Sequence, residues 1–212
     1  MLKRGIGLGL LCITGHAFSA NITVTTTDDI VKADDQCSLR EAVEYVNQGM
    51  PEAGYNGCGG KDATAKIMLQ ANKEYSLTKQ IHILKDVAFG SDYQTNVNDT
   101  ESIVGRRNAI IKMVGKDRLF RIEKAVDPNA TTPPAMLSVA FDEITLKGCG
   151  QSNCADQGGL IYNKESLGIS NGQLLDGSAR QGGAIYNAGI YSANTALSSV
   201  VLSKTLIKGN KA

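Results

Sequence analysis

QGGLIYN occupies residues 157–163 and QGGAIYN residues 181–187, identical at six of seven positions and 24 residues apart. Each copy follows a related string, ITLKGCGQSNCAD (144–156) before the first and QLLDGSAR (173–180) before the second, and TLIKGNKA (205–212) opens the pattern once more. A period in the low twenties, holding three short strands per repeat, is the signature of one coil of a parallel β-helix. On that reading Gly158, Gly159, Gly182 and Gly183 sit at a sharp bend, where positive φ or close approach between coils leaves no room for a side chain. Ile161 and Ile185 point inward and stack, about 4.8 Å apart. Tyr162 with Tyr186, and Asn163 with Asn187, form ladders of like residues, and stacked Asn amides bond from one coil to the next. These ladders are expected to be structural.

Upstream, from Lys66, the chain is a series of short runs broken by polar turns: KIMLQ, EYSLT, QIHIL, DVAFG, SIVG, AIIKMVG, LFRIE and LSVAFDEITLKG. Their period of two, rich in Ile, Val, Leu and Phe, predicts an all-β chain. One segment breaks that rule. In CSLREAVEYVN (37–47), Leu39, Ala42, Val43 and Val46 fall at i, i+3, i+4 and i+7, a helical stripe, and Ser38 with Glu41 makes a capping box. Gly49 and Pro51 then end the helix.

The 212 residues, 42% hydrophobic and 20% charged, have a globular balance with a formal charge of +1. No basic stripe offers itself to nucleic acid, and no nucleic-acid partner is expected. Glycine is in excess, at 23 residues, where ordinary usage would give roughly 15. MLKRGIGLGLLCITGHAFSA (1–20) has the basic start, apolar run and small-residue end of a secretory signal peptide, with cleavage after Ser19 or Ala20. No later segment is long enough to span a membrane as a helix. The remainder divides into a cap region, 21–64, and β-helix coils, 65–212, carrying 20 basic against 21 acidic residues.

Removing the leader leaves Cys37, Cys58, Cys149 and Cys154. An even number in an exported chain favours two disulfides. Three pairings exist; Cys37 with Cys58 and Cys149 with Cys154 are preferred, since each pair lies within one local segment. A four-Cys zinc site is the rival, disfavoured by export. Arg40, Glu41 and Glu44 could form a catalytic cluster, but charges beside a short helix usually serve its cap or solvated face. Asp28, Asp29, Asp34 and Asp35 could gather calcium, yet their spacing matches no dedicated calcium loop. No metal, cofactor or catalytic residue is therefore expected.

CSLREA at residues 37–42 resembles the signature of the CSLREA-domain proteins, bacterial exported chains in which this segment opens a right-handed parallel β-helix. IMLQANKEYSLTKQIHIL (67–84) is similar to the family's succession of strands, with Asn72-Lys73 where a glycine is common. The GGLIYN and GGAIYN copies resemble the repeats of polymorphic outer-membrane proteins. The likeness covers roughly residues 21–212. It departs in VKADDQ (31–36), which lacks the further Cys many relatives carry, and at KGNKA, where relatives often continue through more coils into an anchor of the rhombotarget or barrel type. The chain is expected to be the first part of a longer gene product.

The resemblance implies an exported, outer-membrane or extracellular scaffold, adhesin-like and non-catalytic, meeting a cell-surface or extracellular ligand whose identity the sequence does not give. The alternative is a polysaccharide lyase or glycoside hydrolase on the same fold, drawing on Asp142, Glu143, Asp156, Asp176 and Arg180. Asp156 and Arg180 precede the two repeats and should be neighbours, as a surface ion pair. The helix has a physical task as well, because the end of a β-helix exposes a coil of unpaired N–H and C=O groups. Leu39, Val43 and Val46 would lay it over that end. Leu39→Asp is expected to give an exported but aggregating protein by size-exclusion chromatography; an unchanged soluble species would rule the capping role out.

Overall fold

In the computed structural model, residues 20–92, 108–124, 135–189 and 198–212 are described. Residues 1–19 of the 1–20 leader and the SIVG run (102–105) lie outside the described residues. The chain is mostly β, its sheets are parallel, and among the described residues it carries one helix, α1 (Leu39–Asn47). After β1 (Ala20–Thr23) and α1, the strands come in rounds. The first round is β2 (Ala63–Gln70), β3 (Glu74–Leu77) and β4 (Ile81–Ile83). The second is β5 (Val87–Asp92), β6 (Ala109–Met113) and β7 (Phe120–Ile122). The third is β8 (Ser138–Asp142), β9 (Ile144–Lys147), β10 (Ala155–Gln157) and β11 (Ile161–Asn163). The fourth is β12 (Ser166–Ser170), β13 (Gln173–Leu175), β14 (Ala179–Gln181) and β15 (Ile185–Asn187), and β16 (Ser199–Ser203) with β17 (Leu206–Lys208) begins a fifth.

Each round adds one strand to each sheet. The first strands form a six-stranded sheet in the order β1-β2-β5-β8-β12-β16, the second a five-stranded sheet, β3-β6-β9-β13-β17, and the last a four-stranded sheet, β4-β7-β11-β15. Among the described residues the pair β10-β14 adds a two-stranded sheet in the third and fourth rounds, so these rounds hold four strands where three were expected.

Alternation sends every second side chain to the interior, and the register sets like on like. One interior row runs Ile67, Phe89, Phe141, Ile169 and Leu202. Another runs Tyr75, Ile111, Leu146, Leu174 and Ile207, and a third Ile81, Phe120, Ile161 and Ile185. These side chains are buried except Ile185, which is half-buried, and those of the fifth round. Phe89 and Phe141 stack with centroids 4.6 Å apart, and Phe120 tilts against both. A stack one strand spacing per round has room for flat rings and branched aliphatic chains.

The 24-residue period expected for the whole stack is local. It holds from Gln157 to Gln181 and from Ile161 to Ile185. Between the same two rounds, Thr145 pairs with Gln173, 28 residues on, and earlier Lys66 pairs with Ala88, 22 residues on. The strands keep their register while the links between them vary in length. Here the surplus lies between β9 and β10, where Cys149 and Cys154 are bridged.

The glycine pairs divide two tasks. Gly158 and Gly182 adopt φ of +68° and +65°, the left-handed region in which a side chain is strained. Gly159 and Gly183 have ordinary φ but lie against the next round: a Cβ on Gly159 would run into the Gly183 carbonyl and the Ser178 N–H. The turn from the first sheet to the second needs the left-handed region too, and meets it without glycine, at Asn72, Glu143, Asn171 and Lys204. Gly159→Ala should therefore destabilise the fold by about 2 kcal/mol. Gly168→Ala, with nothing near its Cβ, should leave stability unchanged or raise it by up to about 1 kcal/mol. Chemical denaturation distinguishes them, and equal midpoints would show that the rounds are not in close contact at Gly159.

Candidate functional site

Two regions gather the side chains singled out in the sequence. The first is the cap. Ser38 Oγ accepts from the Glu41 N–H at 3.2 Å, and Glu41 Oε2 accepts from the Ser38 N–H at 2.9 Å, the reciprocal capping box. Glu41 is also buried and uses its other oxygen, Oε1, on the Lys32 N–H at 2.7 Å, while the Ser38 hydroxyl donates to the Ile30 carbonyl at 2.6 Å. Leu39, Ala42, Val43 and Val46 are buried in the same core as the strands. Cys37 is bridged to Cys58 with Cα atoms 4.8 Å apart, and Cys149 to Cys154 with Cα atoms 6.5 Å apart. Closing the 21-residue loop is worth on the order of 3 kcal/mol in the chain-entropy model.

Arg40 does what the sequence did not foretell. Its guanidinium holds Asp29 with both carboxylate oxygens, at 2.7 and 2.9 Å, and donates to the carbonyls of Lys79 and Gln80 in the turn between β3 and β4. Asp29 in turn accepts from the Thr78 N–H and hydroxyl. One planar fork thus ties the 24–36 segment, the helix and the first round together. Burial would raise the Asp29 pKa, but the hydrogen bonds from Arg40 and Thr78 and the Arg40 charge outweigh it and hold the carboxyl below its ordinary value. At the other end of α1, Asn47 donates to the His82 carbonyl and accepts from the Leu84 N–H, both at 2.9 Å. Because β4 is the edge of its sheet, these bonds occupy backbone groups that no strand pairs. Tyr45, outside the expected stripe, is fully buried, with its hydroxyl bonded to the Gly60 N–H and carbonyl.

The acids considered for calcium or catalysis are not drawn together. Asp29 is taken by Arg40 and Thr78, and Asp34 accepts from the Gln36 N–H and lies 3.7 Å from Lys32. Glu44 accepts from Gln48. Asp142, closing β8, accepts from Ser170 and Asn171, Glu143 occupies the following turn, and Asp176 follows β13. Asp156 and Arg180 do lie together, 3.2 Å apart on adjacent strands and largely exposed. Among the described residues no group of three or more His, Cys, Asp and Glu side chains is placed to hold a metal.

The second region is the outer face of the four-stranded sheet. His82, Arg121, Tyr162 and Tyr186 stand in one row. The two tyrosine rings stack at 5.8 Å, and three cations surround Tyr162: Arg121 at 4.6 Å from the ring centroid, Arg118 at 5.5 Å and Lys164 at 5.9 Å. Glu123 pairs with both Arg121 and Lys164. Its hydrogen bond raises the Lys164 pKa, while Glu123, though burial works against it, is held low by the same two partners. Behind this face Asn163, wholly buried, donates to Asn187 Oδ1 at 2.8 Å and bonds at both ends of its amide to Glu165. Arg118 and Arg121 escaped notice in the sequence because only the register sets them beside Tyr162.

No family model, curated protein or solved structure matches the chain.

Replacing Asp29 by Asn is expected to cost roughly 3 kcal/mol at neutral pH, by stranding the Arg40 charge. Since the folded pKa of Asp29 is depressed, its contribution is complete above the ordinary carboxylate value and is lost as pH falls through the folded value. The gap between native and variant should therefore close in acid. Denaturation series at descending pH measure it, and a pH-independent gap would remove the clamp.

Proposed function

We propose that the chain is a right-handed parallel β-helix of the CSLREA-domain kind, exported and displayed as a non-catalytic, adhesin-like scaffold. The observation carrying the reading is the division of labour within CSLREA itself. Cys37 is bridged, Ser38 and Glu41 cap the helix and tie down the segment before it, and Arg40 clamps the first round. Leu39 and Ala42 fill the core. A motif whose every side chain is engaged in covering the start of a stack belongs to construction. The cyclic visiting of three parallel sheets supports a solenoid, whose long faces suit recognition of extended partners. Two disulfides fit an oxidising compartment.

The rival reading, a polysaccharide-cleaving enzyme, has Asp156 and Arg180 as its nearest pair, and these face solvent as an ion pair. Two measurements test the proposal. Cells producing the full chain should release it to the medium or expose it to added protease at the surface; retention in the cytoplasm would overturn export. Pectin and alginate, with and without calcium, should be left intact; turnover abolished by Asp156→Ala would replace the scaffold with a lyase or hydrolase.

A further inference from the structure

The sequence leaves the leader two cleavage points, after Ser19 and after Ala20. The fold distinguishes them, because Ala20 already belongs to it. Ala20 opens β1, its N–H donates to the Asp62 carbonyl at 3.0 Å, and its own carbonyl accepts from the Thr64 hydroxyl at 3.2 Å. It lies opposite Ala63; after a shift of register, Ile22 lies opposite Ile67 and is buried in the common core. Val24 is buried there as well and donates its N–H to the Met68 carbonyl. A cut after Ala20 would take away the partner of the Asp62 carbonyl and of the Thr64 hydroxyl. A cut after Ser19 keeps both, since the new α-ammonium still has N–H groups to donate, now with a charge behind them. Ala20 is exposed, so that charge stays in water. The residues on the other side of the bond point the same way independently. Ala17 and Ser19 put small side chains third and first before the cut, the pattern that leader peptidases read, whereas a cut after Ala20 would put Phe18 in third place.

We propose that the leader is removed at the Ser19–Ala20 bond, and that this cut precedes the docking of β1 on β2. The step is a hydrolysis by a leader peptidase. Water adds across the bond, its hydroxyl going to the Ser19 carbonyl carbon and a proton to the Ala20 nitrogen, which takes a second proton from solvent as the ammonium. A peptidase must draw the chain on both sides of the bond into its cleft, and a folded chain is cut through its opened form. Ala20 is tied to residues 62–64, and Ile22 lies in the core, so drawing them out means peeling β1 from the edge of the six-stranded sheet. The edge of the first round therefore closes after processing, with the new amino group as its outermost hydrogen bond. The proposal rests on the exported reading above and adds where, and at what stage, the leader leaves.

Secretion of the full chain from a bacterial host, followed by intact mass and amino-terminal sequencing, tests the position. The exported protein should begin at Ala20. A chain beginning at Asn21, or at any other residue, would overturn the site while leaving export standing; recovery of the whole chain inside the cells alone, leader attached, would overturn the exported reading and the site with it. The order is tested by exposing the full chain, refolded with both disulfides formed, to purified leader peptidase beside the same chain reduced and alkylated. The folded form should be cut at least about tenfold more slowly. Ile22→Ala leaves the residues around the bond intact and loosens β1; folded, with both bridges formed, it should be cut faster than the folded native chain, and when unfolded at the native rate. Equal cutting of folded and unfolded native chain would overturn the order, whether or not the variant folds, and so would a folded Ile22→Ala cut as slowly as the native form.

Discussion

Parallel pairing in register places every residue on its counterpart one round earlier, about 4.8 Å away. The rest of the molecule answers to that spacing. Like side chains must tolerate being stacked, which suits Ile, Leu, Val and the offset rings of Phe89 and Phe141. Backbones that approach each other at the bends exclude side chains, hence Gly159 against Gly183. Polar side chains can enter the interior only where the neighbouring round completes their hydrogen bonds, as Asn187 does for Asn163. Links between strands are free of the constraint and vary: the disulfide-closed loop between β9 and β10 holds seven residues where its counterpart between β13 and β14 holds three.

The same rule leaves two strands of the first round with no predecessor. β1 pairs with β2, but β3 and β4 are edges, and the backbone groups beside them are met by side chains of the cap. Arg40 serves the carbonyls of Lys79 and Gln80, and Asn47 serves the two backbone groups around β4. The apolar stripe of α1 closes the interior below them. Helix and clamp depend on each other. Without the Cys37–Cys58 bridge and the capping box, a nine-residue helix would be too short to hold itself in place.

Much of this was legible in the residues. The GGxIYN repeat located the rows of Tyr162 and Asn163, the stripe and capping box located α1, and the local spacing of the cysteines gave both bridges. What escaped were relations that only three-dimensional register creates. Arg40 looked like one charge among several because its partner, Asp29, and its carbonyl acceptors lie in separate segments. The left-handed residues Glu143 and Lys204 gave no signal, since neither type favours that conformation. Tyr45 fell off the simple stripe because the 49–60 loop wraps round a second face of the helix. A single visible repeat also made 24 residues look like the measure of the whole chain, when it measured one pair of rounds.

The row that holds the Asn ladder begins with different residues. Ile83 and Ile122 occupy it in the first two rounds, and Asn163 and Asn187 in the last two. A stack of near-identical layers is open to misalignment by one whole layer, since apolar residues accept one another almost indifferently. An amide is less indifferent, because its buried donors and acceptors must be met. Asn163 lies against Ile122 on one side, and its amide is met by the Glu165 backbone and by Asn187 on the other. A slip that parted Asn187 from Asn163 would leave an amide bond unmade, so the pair marks one boundary in the stack and favours the assembly order that sets those two layers together.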